Sequence, residues 1–172
     1  MAFAVTFEIE RTFEAECAPE DAFAVVADVP YSVSHFPKVD ALVDLGDGVY
    51  RWEMEKIGVQ KYSIQTVYAC KYTNDPEKGS VKWTPVKGEG NAVVAGTWRV
   101  KPGKEKSAQL TIKTKGEMEI PLPGMLRMVL APIVRSEFER LVDQYIQNLT
   151  KSLESGKLPP RKKAAAKKRP GK

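Results

Sequence analysis

Between Ala41 and Ile120 the chain reads as one β-strand after another, and a single long amphipathic helix follows. That order constrains the fold more than any other feature. Consecutive strands with short connections make an antiparallel sheet, and one helix placed after them must bury its apolar stripe against it. The stripe runs in steps of three and four through Leu126, Leu130, Ile133, Val134, Phe138, Leu141, Val142, Tyr145, Leu149 and Leu153. Arg135, Glu139, Arg140, Asp143, Gln144, Gln147 and Lys151 take the opposite side, which suits water. Pro132 lies within the stripe and has no amide hydrogen, so it predicts a kink or a true helix start near Ala131. Gly156 stands where a C-terminal cap belongs, and Pro159-Pro160 forbids continuation.

Seven strands can be counted. Ala2 to Glu14 alternates, with Phe3, Val5, Phe7, Ile9, Arg11 and Phe13 on one face and Thr6, Glu8, Glu10, Thr12 and Glu14 on the other. Pro19, followed by Glu20 and Asp21, opens a short helix, and Pro30 and Pro37 bracket a second brief helix or turn over Tyr31 to Lys38. Gly46-Asp47-Gly48 separates strands at Ala41–Leu45 and Val49–Lys56, and Gly58 marks a further turn. Gln60 to Tyr72 reads as one long strand with Tyr62, Ile64, Thr66, Tyr68, Cys70 and Tyr72 on one face. Strands at Ser80–Val86, Ala92–Lys101 and Ala108–Ile120 complete the set.

The 27 basic residues are unevenly spread. Eight lie among residues 157–172, which hold no acid, so residues 1–156 carry 19 basic against 22 acidic residues and a net charge near −3. The chain therefore divides into a folded domain, 1–156, and a low-complexity basic tail, 157–172, expected to be disordered. No stretch approaches the roughly 20 apolar residues of a membrane span, and residues 1–7 show no secretory signal. Cys17 and Cys70 stand alone, with no CxxC; two buried, reduced thiols of a cytoplasmic protein are the favoured reading and a single disulfide is the alternative.

Local words in the sequence carry a resemblance. Ala18-Pro19-Glu20-Asp21-Ala22-Phe23, then Val26-Ala27-Asp28-Val29, then Phe36-Pro37, together with Gly96-Thr97-Trp98 in a late strand, resemble polyketide cyclase/dehydrase-like and coenzyme Q-binding members of the START/Bet v1-like superfamily. The resemblance covers about residues 3 to 154. It implies an α+β helix-grip fold: a seven-stranded curved antiparallel sheet wrapped around the long C-terminal helix, with two short helices after strand 1. It also implies an apolar cavity beside that helix, suited to a lipid, isoprenoid, sterol or polycyclic aromatic. Carried onto this chain, Trp52, Tyr62, Ile64, Tyr68, Trp83, Trp98 and Met118 point inward, Leu126, Leu130 and Ile133 form the helix wall, and Phe36 sits near the mouth. Core filling competes with that reading at each position taken singly.

Catalytic signals are weak by comparison. His35 is the only histidine, and a lone histidine is more often structural than a base. One histidine and two scattered cysteines do not make a zinc site, and no nucleophile-elbow motif is present. Arg11, in an apolar file, is either an anion anchor or a side chain snorkelling to water, and the second reading is favoured. Met125 to Pro132 is either a lip over the cavity, touching membrane, or the buried first turns of the helix. The tail cluster Arg161, Lys162, Lys163, Lys167, Lys168 and Arg169 has no interleaved aromatics. It suits an anionic membrane surface, or sequence-independent contact with nucleic-acid phosphates, or solubility alone. The leading expectation is a cofactor-free, metal-free binder and carrier of a hydrophobic small molecule, cytoplasmic or peripheral to a membrane. The alternatives are a polyketide cyclase or dehydratase and an interaction protein working through its tail.

Overall fold

The computed structural model describes residues 2–59 and 61–159. The tail cluster Arg161–Arg169 lies outside the described residues. Strand β1 (Phe3–Ala15) is followed by helices α1 (Pro19–Ala27) and α2 (Val29–Val33). Strands β2 (Val39–Gly46), β3 (Val49–Met54), β4 (Ile57–Val59), β5 (Tyr62–Ile64), β6 (Val67–Asp75), β7 (Ser80–Val86), β8 (Ala92–Pro102) and β9 (Ala108–Ile120) come next. One 3-10 turn (Gly124–Leu126) leads into helix α3 (Arg127–Glu154). The main sheet has seven strands in the order β1-β9-β8-β7-β6-β3-β2, all antiparallel, and β4 and β5 form a separate two-stranded ribbon.

Local chemistry explains most boundaries. The β2–β3 hairpin closes on Asp47 and Gly48, both at positive φ (55° and 79°), the pairing that a two-residue loop needs to follow the twist of its strands. Pro30 opens α2 rather than ending a segment, because a first-turn proline lacks only an amide that has no helical partner. The Asp28 carboxylate accepts from the Tyr31 amide at 3.1 Å and caps that helix. Helix α3 starts at Arg127, ahead of Ala131; Pro132 sits in its second turn and cannot donate to the Met128 carbonyl. At its other end Gly156 (φ 76°) donates to Leu153 O and Lys157 to Ser152 O, a Schellman closure.

The long strand read from Gln60 to Tyr72 is interrupted. Its first part belongs to the β4–β5 ribbon, where Gly58 pairs with Ser63 inside a strand instead of turning the chain. Asn91 holds the break open: its Oδ1 accepts from the Val67 amide at 2.9 Å and its Nδ2 donates to Gln65 O at 2.9 Å. The Gln65 side chain donates to Met54 O at 2.8 Å, at the end of β3. Side-chain amides thus satisfy backbone groups that a continuous ladder would have paired.

The sheet grips α3 through Leu130, Ala131, Leu141, Val142, Tyr145, Leu149 and Leu153, all buried. Each large aliphatic among them contributes roughly 1.5–3 kcal/mol by leaving water. On the edge strand, Arg11 Nε donates to Asp143 Oδ1 at 2.9 Å and Arg135 Nε to Thr6 O at 2.7 Å, tying β1 to α3. Arg11 keeps about a third of its side chain in water, as snorkelling requires, and its guanidinium serves the helix rather than a pocket. Helices α1 and α2 cover the end of the sheet near the C-terminus of α3. There His35 Nδ1 lies 2.9 Å from Tyr31 O and Nε2 lies 2.7 Å from Ser152 Oγ. A proton on Nδ1 donates to the carbonyl and leaves Nε2 to accept from the serine. His35 is a tie between helices, away from the space between sheet and α3.

Candidate functional site: two apolar compartments between sheet and helix

The alternation of β3, β6, β7, β8 and β9 directs one file of side chains from each strand towards α3, and two adjoining compartments lie between them. The outer one is walled by Phe7, Met54, Ile57, Ile64, Thr66, Met118, Ile133, Val134 and Leu141, with Lys38, Glu55 and Glu137 as its charged members. The inner one is walled by Val26, Val29, Ser32, Val33, Phe36, Trp52, Tyr72, Trp83, Trp98, Ile112, Thr114, Val142 and Tyr145. Tyr68, Val94 and Phe138 belong to both. Each encloses about 50 Å³. That is room for a few water molecules, so a larger occupant must displace side chains. Met54 and Met118 supply adaptable walls for this.

Aromatic rings set the shape of the inner compartment. Trp52 stacks on Tyr68 with centroids 5.5 Å apart, and Phe36 meets the edge of Trp52 at 5.3 Å and Tyr145 at 5.0 Å. Backbone without side chains makes the room. A Cβ at Gly96 would stand 2.4 Å from the Trp83 ring, and one at Gly116 would stand 2.7 Å from Phe7.

The deeply buried polar groups in and behind these walls are neutral, and the charged ones stay at the rim. Burial pushes the Tyr145 phenol up to about 12, only partly offset by hydrogen bonding to Ser32 and Trp98. Burial likewise raises Tyr68 and Tyr72 well above the ordinary phenol value, and the Cys70 thiol to about 12. Most find partners: Trp52 Nε1 donates to Tyr72 Oη at 3.0 Å, the Tyr145 and Ser32 hydroxyls hydrogen-bond to each other, and Cys70 Sγ donates to Val94 O at 3.3 Å. At the rim, Lys38 Nζ donates to Glu137 Oε2 at 3.2 Å, and Arg140 also pairs with Glu137. Burial alone would raise the Glu137 carboxyl, but the bonds from Arg140 and Lys38 outweigh it and hold it below its ordinary value.

The residues expected at the site separate into three groups. Phe36, Trp52, Tyr68, Trp83 and Trp98 meet in the inner compartment, and Ile64, Met118 and Ile133 meet, with Tyr68, in the outer one. Phe36 is deep rather than at the mouth, which Lys38 and Glu137 occupy instead. Tyr62, Leu126 and Leu130 line neither compartment. Tyr62 is on the β4–β5 ribbon with Lys61 over its ring, because the strand breaks after Ile64. Leu130 is buried with Phe3, Val5, Met118 and Ile120 in a separate packed cluster, against which Leu126 also rests. The wall presented by α3 lies further along, at Ile133, Val134, Phe138, Leu141, Val142 and Tyr145. Met54 and Thr114 were not singled out in the sequence, although their strand phases, two residues from Trp52 and from Ile112, place them inward.

Beyond the outer compartment, on the preceding turns of the same helix, Met125, Met128 and Val129 are 85%, 88% and 49% exposed. These turns are two-sided: Met125, Met128 and Val129 form an exposed apolar patch, while Leu130 and Ala131 are buried against the sheet. No described helix is long and apolar enough to cross a membrane, and no group of three or more His, Cys, Asp or Glu among the described residues is placed to hold a metal ion.

Solved structures share this architecture at low sequence identity. A START superfamily protein from Mycobacterium smegmatis is 15% identical with a TM-score of 0.63, over 86% of this chain and 97% of its own. An aromatase/cyclase from Streptomyces sp. R1128 is 14% identical with a TM-score of 0.57, over 95% and 98%. Norcoclaurine synthase from Thalictrum flavum, solved with dopamine and hydroxybenzaldehyde, is 16% identical with a TM-score of 0.58, over 91% of each chain. At that identity the likeness is one of fold. No curated protein matches the sequence. The family described as polyketide cyclase / dehydrase and lipid transport matches residues 6–154, nearly the whole of the sheet and its helix, and the chain belongs to that family.

Proposed function

We propose that this protein binds a hydrophobic small molecule between sheet and α3 and passes it through the outer compartment to an apolar or membrane surface met by the Met125–Met128–Val129 lip. The observation that carries the reading is the adjacency of two apolar compartments that share Tyr68, Val94 and Phe138 as a common wall, with every deep polar group neutral. A wall of this kind accepts an apolar body and rejects a charge. Val129 lies one helical turn before Ile133, so exposed apolar surface continues from the wall of the outer compartment to the lip.

The chain's three tryptophans, Trp52, Trp83 and Trp98, all wall the inner compartment and report on occupancy directly. Titration with the neutral dye N-phenyl-1-naphthylamine is expected to change tryptophan emission to saturation at one molecule per chain. Val94→Phe, which fills the shared wall, is expected to weaken uptake while the protein still unfolds cooperatively. Absence of a saturable response to this dye and to a varied lipid panel would overturn the reading. Cofactor-free ring closure of a reactive polyketide is the second reading, favoured by buried hydroxyls facing apolar space. Turnover of such a substrate separates the two.

A further inference from the structure

The Tyr68 hydroxyl is a deeply buried polar group that the fold leaves unanswered. Tyr68 is 4% exposed and walls both compartments, yet its hydroxyl makes no hydrogen bond with any described residue. Its neighbours differ: Tyr72, Tyr145, Ser32, Trp52 and Cys70 are each paired. Buried hydroxyls are nearly always bonded, and an exception in a cavity wall points to a partner from outside the chain. Two further hydroxyls nearby are weakly held. Thr66 Oγ1, in the outer compartment, donates to the Met118 thioether, a poor acceptor, and Thr114 Oγ1, in the inner one, reaches Ala95 O only at 3.5 Å.

Resting on the function proposed above, we infer that Tyr68 donates a hydrogen bond to an uncharged acceptor, such as a ketone, quinone or ester carbonyl, on an otherwise apolar ligand lying across both compartments. The chemistry of the wall excludes a buried carboxylate. The cation of the outer compartment, Lys38, is on its rim and already paired with Glu137, so a carboxylate at Tyr68 would be desolvated among neutral groups. A hydrocarbon would fit the apolar wall but leave the Tyr68 proton unanswered. A carbonyl answers it at no charge, and burial keeps that phenol protonated and hence a donor.

Three probes of one shape separate these classes: fluorene, 9-fluorenone and fluorene-9-carboxylate, titrated by tryptophan emission. Wild type is expected to bind fluorenone about tenfold more tightly than fluorene, the upper range for one neutral hydrogen bond, and the carboxylate most weakly. Tyr68→Phe is expected to remove the preference for fluorenone while leaving fluorene affinity unchanged, and to raise the infrared carbonyl stretch of bound fluorenone. The variant's thermal midpoint is expected to hold or rise, since the deleted hydroxyl has no partner in the chain. A clear fall in the midpoint would show a bond within the fold and overturn the assignment. So would an unchanged fluorenone preference in Tyr68→Phe, tightest binding of the carboxylate, or uptake of N-phenyl-1-naphthylamine with none of the three probes. Each of those results leaves hydrophobic binding itself standing. Failure of every apolar molecule to bind wild type removes the underlying function, and this inference with it.

Discussion

Gly96 and Trp83 face each other across the β7–β8 ladder, and the indole occupies the space that any side chain at Gly96 would need. A Cβ there would also stand 2.4 Å from the Lys113 carbonyl oxygen, and that backbone is held between neighbouring strands. The glycine therefore sets the position of Trp83 and, with it, the back wall of the inner compartment. Gly96→Ala is expected to lower stability by about 1–3 kcal/mol, as overpacking of a tight interior does. Urea unfolding checks this through a lower midpoint at unchanged slope. An unmoved midpoint would show that Trp83 and the strand can yield.

Leu130 and Ile133 lie less than one helical turn apart but have different surroundings. Leu130 is 1% exposed within a packed cluster, while Ile133 is 42% exposed beside the outer compartment. Leu130→Ala is expected to cost roughly 2–5 kcal/mol. Ile133→Ala should cost far less and alter ligand affinity instead. Denaturation of both variants, paired with dye titration, tests the distinction; equal losses would contradict it.

Glu137 links the rim to stability at low pH. Its folded carboxyl titrates below its ordinary value of 4.5, so near that pH the unfolded chain binds more protons than the folded one. The contribution is complete above about pH 4.5 and is lost as pH falls through the folded value. Thermal midpoints measured from pH 6 down to pH 3 should fall less steeply for Glu137→Gln than for wild type. Parallel curves would show that Lys38 and Arg140 do not hold the carboxylate in solution.

Removing residues 160–172 takes away seven of 27 basic residues and none of 22 acidic ones, leaving a net charge of −2. Full-length protein should adhere to anionic vesicles or DNA at low salt and release as ionic strength rises, and the shortened protein should do neither. The cut belongs after Pro159, because the Lys157 amide closes the α3 terminus and its carbonyl accepts from Tyr31 Oη at 2.8 Å. Equal vesicle binding by the shortened protein would place the contact on the folded body.

Periodicity carried most of the architecture. Alternation along β1, β3, β7, β8 and β9 and the three-four spacing of α3 each record which face is buried, and burial is what gives those elements their order. The family words were legible for a similar reason. Gly96 and the Pro19 helix start are positions where backbone geometry restricts the residue. Trp52, Trp83 and Trp98 face inward as their strand phases indicate, because a strand has only two faces, whereas Phe36, in the connection after α2, has no such phase and lies deeper than the mouth expected for it.

What escaped a one-dimensional reading depends on groups distant in the chain. The break after Ile64 leaves the alternation of residues 60–72 intact, yet it is held by Asn91 and Gln65 through bonds that no local pattern records. It moves Tyr62 out of the wall. Which turn of α3 faces the cavity depends on where the helix lies against β1, a placement marked by Arg11–Asp143 and Arg135–Thr6, contacts spanning 132 and 129 residues. A helical stripe specifies a face but not the point along it where packing ends and open space begins. The Tyr68 hydroxyl is the sharpest case. As a letter it is one tyrosine among six, and only the packed interior separates the bonded phenols of Tyr31, Tyr72 and Tyr145 from a phenol that is deeply buried without a partner, because hydrogen bonding is satisfied in space and not in sequence.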